Sequence, residues 1–253
     1  MNKLQVFFSA VAKLKNWPVY LADYLKIKNG RLIYILRNGS KYIIRANSND
    51  RNIFNEVLIH KIYNPLGFEI KKGDVVLDIG AHVGTFSIFA SEIASKVYSF
   101  EPTQENFKIL RENIELNKRN NIVIDNRAVS FVNGKRELFI DSKNLGGHSF
   151  YQLLSENKQK RILIETVSLK DLFLQNKIQK VDFLKMDCEG AEYDILFNCQ
   201  KEVLDKIQKI SMEYHNINKT YNINALKNFM ENNGFVVKVL EALYMVYATK
   251  AND

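Results

Sequence analysis

The sequence predicts an α/β fold built on a mostly parallel sheet. Three observations predict it. The apolar run Val75–Leu77 meets Asp78, a glycine turn and then a helical repeat of Phe86, Phe89, Ala90 and Ile93. Beyond this junction, short apolar runs alternate with amphipathic stretches, as in a sheet covered on both faces. Several of those runs end in an acid: Asp78, Glu101, Asp187 and Glu213. Ligands of open α/β sheets bind at such strand ends.

Taken in order, Met1–Ile27 reads as one or two amphipathic helices divided near Pro18. Leu4, Phe7, Phe8, Val11 and Leu14 share one face, and Lys3, Lys13 and Lys15 lie opposite. That pattern suits a helical cap packed on the domain. A basic face with aromatic anchors also suits peripheral contact with a membrane surface. Gly30–Ala46 reads as a β-hairpin turning at Asn38-Gly39, Asn47–Asn52 as a loop, and Ile53–Asn64 as a helix. Residues 1–70 are therefore read as an extension packed on a main domain, residues 71–253.

The main domain starts with strand Val75–Asp78, followed by strand Val97–Glu101, helix Gln104–Leu116 and strand Ile122–Asp125. Gly134–Asp141 reads as an additional strand, Asn144–Tyr151 as a loop carrying His148, and Ile162–Val167 as an extended run before a short helix. Strand Val181–Met186 leads to helix Ala191–Phe197. Strand Ile207–Glu213 leads to helix Asn224–Asn232, and Gly234–Leu240 and Leu243–Thr249 close the chain as two strands.

Hydrophobic residues make up 46% of the 253-residue chain, ample for one large core. The net charge of +8 fits a lysine-rich surface or attraction to an anionic partner. No block of five like charges occurs, which argues against a nucleic-acid tail. Cys188 and Cys199 form neither a disulfide framework nor a zinc pattern, so a reducing, cytoplasmic setting is expected, with the inner membrane surface as the place of any peripheral contact. The apolar part of MNKLQVFFSAVAK is too short for a signal peptide and is broken by Gln5 and Ser9.

The central turn points to a class of ligand. A dinucleotide turn wants G-x-G-x-x-G, whereas here Gly80, Ala81, His82 and Gly84 give D-x-G-x-x-x-G. Asp78 suits an ammonium group, and Glu101 stands where a carboxylate binds ribose hydroxyls. An amino-acid-bearing nucleoside fits better than a pyrophosphate. An NAD-binding oxidoreductase is disfavoured by the missing central glycine.

VLDIGAHVGTFS, VYSFEP and FLKMDCEGAEYDIL together resemble the FkbM-type, S-adenosylmethionine-dependent methyltransferases of the class I fold, over roughly Asn52–Glu213. The resemblance implies a Rossmann-like, seven-stranded, mostly parallel sheet with an antiparallel last strand and helices on both faces. It implies that Asp78, Gly80, Ala81, His82, Gly84, Glu101 and Asp187 contact S-adenosylmethionine, and that Asn126, just past the third strand, meets adenine. His82 stands where the family commonly has Asn. It implies an acceptor near Asn144–Tyr151. DCEG replaces the Asn/Asp-Pro-Pro-aromatic signature of amino-group methyltransferases, which favours a hydroxyl. The expected acceptor is a glycan or small-molecule hydroxyl, on a surface glycan, a glycolipid or a glycosylated metabolite. The rivals are an RNA or protein methyltransferase and a non-catalytic module of the same fold.

A hydroxyl is a poor nucleophile until its proton leaves, so a base or a metal should assist. Asp187 and Glu189 end a buried strand, with Lys185 alternating on the same face as a partner for Asp187. Glu213 and His215 alternate on the neighbouring strand, and His148 lies on the loop. Asp187, Glu189, His215 and His148 are the catalytic candidates. Asp187, Glu189 and Glu213 could hold Mg²⁺ if they converge, but no metal site is assigned. Cys188, flanked by acids, is a poor nucleophile. Nothing in the sequence speaks to the oligomeric state.

Overall fold

A computed structural model of the protein describes residues 3–140, 148–150 and 160–251. Helices α1 (Lys3–Lys13) and α2 (Trp17–Tyr24) precede the hairpin β1 (Arg31–Ile35) and β2 (Lys41–Arg45). Pro18 lies in the first turn of α2, where its missing N–H is not needed. The single apolar face expected for α1 is split. Ala10 is buried with Leu14, just past the helix, and Phe7 packs beside them, while Leu4 and Phe8 remain exposed. No helix among the described residues is long and apolar enough to cross a membrane.

The next helix starts earlier than expected, as α3 (Asp50–Phe54), and continues as a π-helical turn, Asn55–His60. It ends at left-handed Lys61, so Tyr63 lies beyond the helix and turns towards the sheet. The main domain follows with β3 (Val75–Ile79), α4 (Thr85–Ser91), β4 (Lys96–Phe100), α5 (Gln104–Leu116) and β5 (Ile122–Asp125). Next come β6 (Ala128–Ser130), β7 (Gly134–Ile140), β8 (Lys160–Ser168) and α6 (Leu169–Gln175). The last third holds β9 (Phe183–Met186), α7 (Ala191–Phe197), α8 (Lys201–Leu204), β10 (Lys209–Glu213), α9 (Ile223–Asn232), β11 (Phe235–Leu240) and β12 (Met245–Lys250).

The main sheet has seven strands in the order β11-β12-β10-β9-β3-β4-β5. Strands β5, β4, β3, β9 and β10 are parallel, and β12 runs antiparallel to both neighbours. This is the expected class I arrangement, with β3 central and the antiparallel strand last. Val181 and Ile207, expected inside strands, pair only as an isolated bridge ahead of β9 and β10. Strand β6, which the sequence reading did not assign, joins β8 and β7 in a separate three-stranded sheet. Of the expected acceptor segment, residues 144–147 and 151 lie outside the described residues.

Side chains alternate along the central strands, and this assigns each face its cover. Leu77, Ile79, Leu184 and Met186 join the core beneath α6, α7 and α9. Val76, Val97 and Phe183 face a second core, formed with α4 and the N-terminal elements through Leu14, Tyr34, Tyr42, Phe54 and Tyr63. Asp78, Ser99 and Lys185 are one step of two residues further along the same strands. They therefore share the face that α4 and the N-terminal segment cover.

Candidate active site

The carboxyl ends of β3, β4 and β9 open into a cavity, where ligands of open α/β sheets bind. Gly80, Ala81, His82 and Glu101 form one wall. Asp187, Cys188 and Glu189 form the other, with His148 brought beside them from the β7–β8 connection. Tyr63, Val57 and Ile53 of the N-terminal segment complete the lining.

The turn between the walls is shaped by close approach. Gly80 has φ +79°, and a Cβ there would lie 1.8 Å from the Asp187 carbonyl oxygen. His82 also adopts left-handed φ, +53°, in which its backbone N–H donates to Glu101 Oε2 at 3.0 Å. The other Glu101 oxygen accepts from the Thr103 N–H at 2.9 Å and from the Thr103 hydroxyl, with Asn106 Nδ2 at 3.4 Å. Glu101 is thus held in one orientation on the wall. Burial raises its pKa, and these donors act in the opposite direction.

Two residues of the central motif take a different place from the one expected. Asp78 does not line the cavity. It is fully buried, and the ammonium facing it belongs to Lys185, 3.3 Å away, while Ser87 Oγ donates to its other oxygen at 2.6 Å. The strand register explains this, because Asp78 sits between Ser99 of β4 and Lys185 of β9. Gly84 is likewise below the surface. A Cβ there would meet Leu110 Cδ1 at 2.4 Å, so its smallness serves the packing of α4 on α5. Asn126 also lies off the cavity, and its amide donates to the Glu101 carbonyl at 2.8 Å and the Pro102 carbonyl at 3.2 Å.

Lys185 joins the two walls. Its Nζ donates to the Gly80 carbonyl at 2.7 Å and lies 3.8 Å from Asp187. Burial opposes its charge, but Asp78 and Asp187 outweigh that and raise its pKa. The Tyr63 hydroxyl donates to Asp187 at 2.8 Å and lies 3.4 Å from Glu213. Burial, then the charge of Asp187, pushes Glu213 up to about 8 and Glu56 up to about 7. Sequence reasoning missed Tyr63, because nothing local distinguishes it from a core tyrosine.

Glu189 lines the cavity with left-handed φ, +52°, next to Gly190, and Ser149 Oγ donates to its backbone carbonyl. Burial raises its pKa, while His215, 3.2 Å away, opposes that. His215 does not line the cavity. It lies between Glu189 and the fully buried Glu192, 3.4 Å from the latter. Burial opposes its charge, but the two carboxylates outweigh this and raise its pKa to about 11. His215 is therefore an imidazolium at neutral pH rather than the free base its residue type suggested. Cys188 is pushed well up by burial and by Glu192 and Asp187, as suits an inert thiol. Among the described residues, no three His, Cys, Asp or Glu side chains are grouped to hold a metal ion, so Asp187, Glu189 and Glu213 do not converge as a ligand set.

A family model described as "Methyltransferase FkbM domain" matches residues 78–237, more than half of the chain. The chain is 25% identical over 228 residues to the 31-O-demethyl-FK506 methyltransferase FkbM of Streptomyces tacrolimicus, spanning 78% of this chain and 83% of that one. It is 25% identical over 148 residues to the hexuronic acid methyltransferase AglP of Haloferax volcanii, spanning 58% of each. A crystal structure of methyltransferase FkbM from Methylobacillus flagellatus KT aligns with a TM-score of 0.48 and 14% identity, covering 71% of this chain and 44% of that chain.

Proposed function

The chain belongs to the FkbM family of S-adenosylmethionine-dependent methyltransferases, and from that membership we propose that it methylates a hydroxyl group, that of a sugar or a glycosylated small molecule. The observation that carries this reading is the cavity itself, lined by a fixed carboxylate, Glu101 after β4, and by carboxylates after β9 on the other side of β3, Asp187 and Glu189. Two relatives point to the same chemistry. One is named for an O-demethyl substrate and the other for hexuronic acid.

S-adenosylmethionine, when bound, supplies an electrophilic methyl carbon on a sulfonium and leaves as a neutral thioether. Its ribose suits Glu101, an acceptor-only group aimed by Thr103, Asn106 and His82. On the facing wall, Asp187 is held by Tyr63 and Lys185 and positions the acceptor hydroxyl. Glu189 takes the hydroxyl proton. Its carboxyl lines the cavity and is made more basic by burial, with the His215 imidazolium as its counter-charge.

The test is calorimetry of the full chain with S-adenosylhomocysteine beside NAD, followed by methyl-transfer assays on neutral and uronic sugars with and without Mg²⁺. Binding of the thioether with methylated sugar hydroxyls as products is expected. A folded protein that binds neither cofactor refutes the reading. Salt-sensitive methylation of RNA in place of sugar would move it to the nucleic-acid rival.

A further inference from the structure

Residues 1–49 hold nine lysines and arginines and one acid, Asp23, so this segment carries a net charge of +8, that of the whole chain. The rest of the chain is balanced. Asp23 is buried and accepts from the Tyr34 hydroxyl. No carboxylate of the segment therefore reaches solvent, whereas Lys15, Lys26 and Lys28 are exposed.

The same segment leaves large apolar side chains in water. Leu4 and Phe8, one turn apart on α1, are 67% and 64% exposed. On α2, Trp17, Tyr24 and Leu25 recur at i, i+7 and i+8, the spacing of a core-facing stripe. All three are nevertheless exposed, and α2 buries only Tyr20 and Asp23. The short connection Leu14–Asn16 lays the two helices side by side. Phe7 joins their stripes, its ring 5.7 Å from that of Phe8 and 6.0 Å from that of Tyr24. Past α2, left-handed Lys26 closes a capping turn. Its N–H donates to the Asp23 carbonyl at 3.0 Å, and the Ile27 N–H donates to the Ala22 carbonyl at 2.8 Å. That turn fixes Leu25 and Ile27 at the surface, with Ile27 67% exposed between two lysines.

An exposed apolar stripe framed by lysines calls for an occupant that takes both. A second copy of the chain would set another positive segment against this one. Nucleic acid would answer the charge, but Leu4, Leu25 and Ile27 offer no π-face on which a base can stack. An anionic lipid bilayer answers both demands. Its interface takes up Trp, Tyr and aliphatic side chains, and its headgroups attract lysines. We propose that α1, α2 and the turn after them form a docking surface for an anionic membrane. Leu4, Phe8, Trp17, Leu25 and Ile27 enter the interface, and Lys15, Lys26 and Lys28 meet the lipid phosphates. Docking of this kind is independent of what the cavity methylates, because the cavity takes only Ile53, Val57 and Tyr63 from the N-terminal extension.

The experiment is vesicle flotation of the full chain, with vesicles of phosphatidylcholine alone and of phosphatidylcholine with phosphatidylglycerol. Trp17 is the sole tryptophan of the sequence, so its emission reports on this surface directly. Salt-sensitive binding to the anionic vesicles with a blue shift of that emission is expected, and neutral vesicles should bind more than about tenfold less. Phe8→Ser combined with Leu25→Ser alters two exposed positions. It should leave thermal denaturation as in the wild type and weaken binding about 10²-fold. Lys15→Gln, Lys26→Gln and Lys28→Gln together should weaken it about 10²-fold as well. Failure of the folded wild type to bind anionic vesicles overturns the proposal. Binding that leaves Trp17 emission unchanged and survives the Phe8 and Leu25 substitutions overturns it too. Burial of Trp17 in a dimer formed without lipid, or in a complex with RNA, gives the face to that partner instead and likewise overturns it. None of these outcomes bears on methyl transfer.

Discussion

The wall from Gly80 to Glu101 and the wall from Asp187 to Glu189, backed by Glu213 and His215, touch at one peptide but are assembled by different means. On the first, backbone N–H groups and short polar side chains hold Glu101, and all come from one stretch of about 25 residues. On the second, carboxylates are gathered from β9 and β10 and restrained by Tyr63 and Lys185. The first wall is set by local conformation, the second by charge in a buried setting. A net charge of +8 over the chain thus coexists with a cluster of carboxyl groups on one wall of the cavity.

The junction is where the comparison breaks most completely. Gly80→Ala would place a methyl 1.8 Å from a backbone oxygen of Asp187 that β9 cannot move without losing register with β3. A loss of about 3–4 kcal/mol in chemical denaturation is expected, together with loss of S-adenosylhomocysteine binding. Gly84→Ala meets only the end of the Leu110 side chain and should be milder despite its similar φ.

A crossed pair of variants sharpens the division. Glu189→Gln should lower kcat by about 10²–10³-fold and leave S-adenosylhomocysteine affinity within a few-fold. Glu101→Gln should weaken that affinity by about 10–100-fold and leave kcat at saturation largely intact. If both variants move both quantities together, the walls do not divide the labour.

The smallest expected effect concerns charge alone. Glu213 is raised to about 8, first by burial and then by Asp187. The folded state then holds a proton that the unfolded chain releases near pH 4.5, so this group's contribution to stability falls as pH rises from about 4.5 to 8. Glu213→Gln should therefore stabilise the protein by about 1 kcal/mol at pH 8.5 and change it little at pH 5, read by thermal denaturation at the two pH values. Equal shifts at both would show that Glu213 is not held protonated.

Much of the fold could be read from residues in order. The apolar run into the Asp78–Gly84 turn and the helical repeat after it located β3 and α4, and the alternation of strands and helices beyond them located the parallel strands. The cavity wall was legible where its residues are neighbours in sequence, as Gly80, Ala81 and His82 are. It was not legible where a partner comes from afar. Tyr63 reads as a core tyrosine and Arg45 as an exposed hairpin end until the fold seats them on Asp187 and His82. The partner of Asp78 was not legible for the same reason, since its nearest ammonium, Lys185, is more than 100 residues away.

By itself the sequence determined the strand–turn–helix junction, the glycine turn within it and the strand ends that carry acids. These depend on φ, side-chain alternation and spacing, which are properties of adjacent residues. Only the tertiary structure decided which acids reach the cavity and which are neutralised beneath it. Those outcomes depend on register between β3 and β9 and on the hairpin packed over them, because burial and a neighbouring charge act across space and not along the chain.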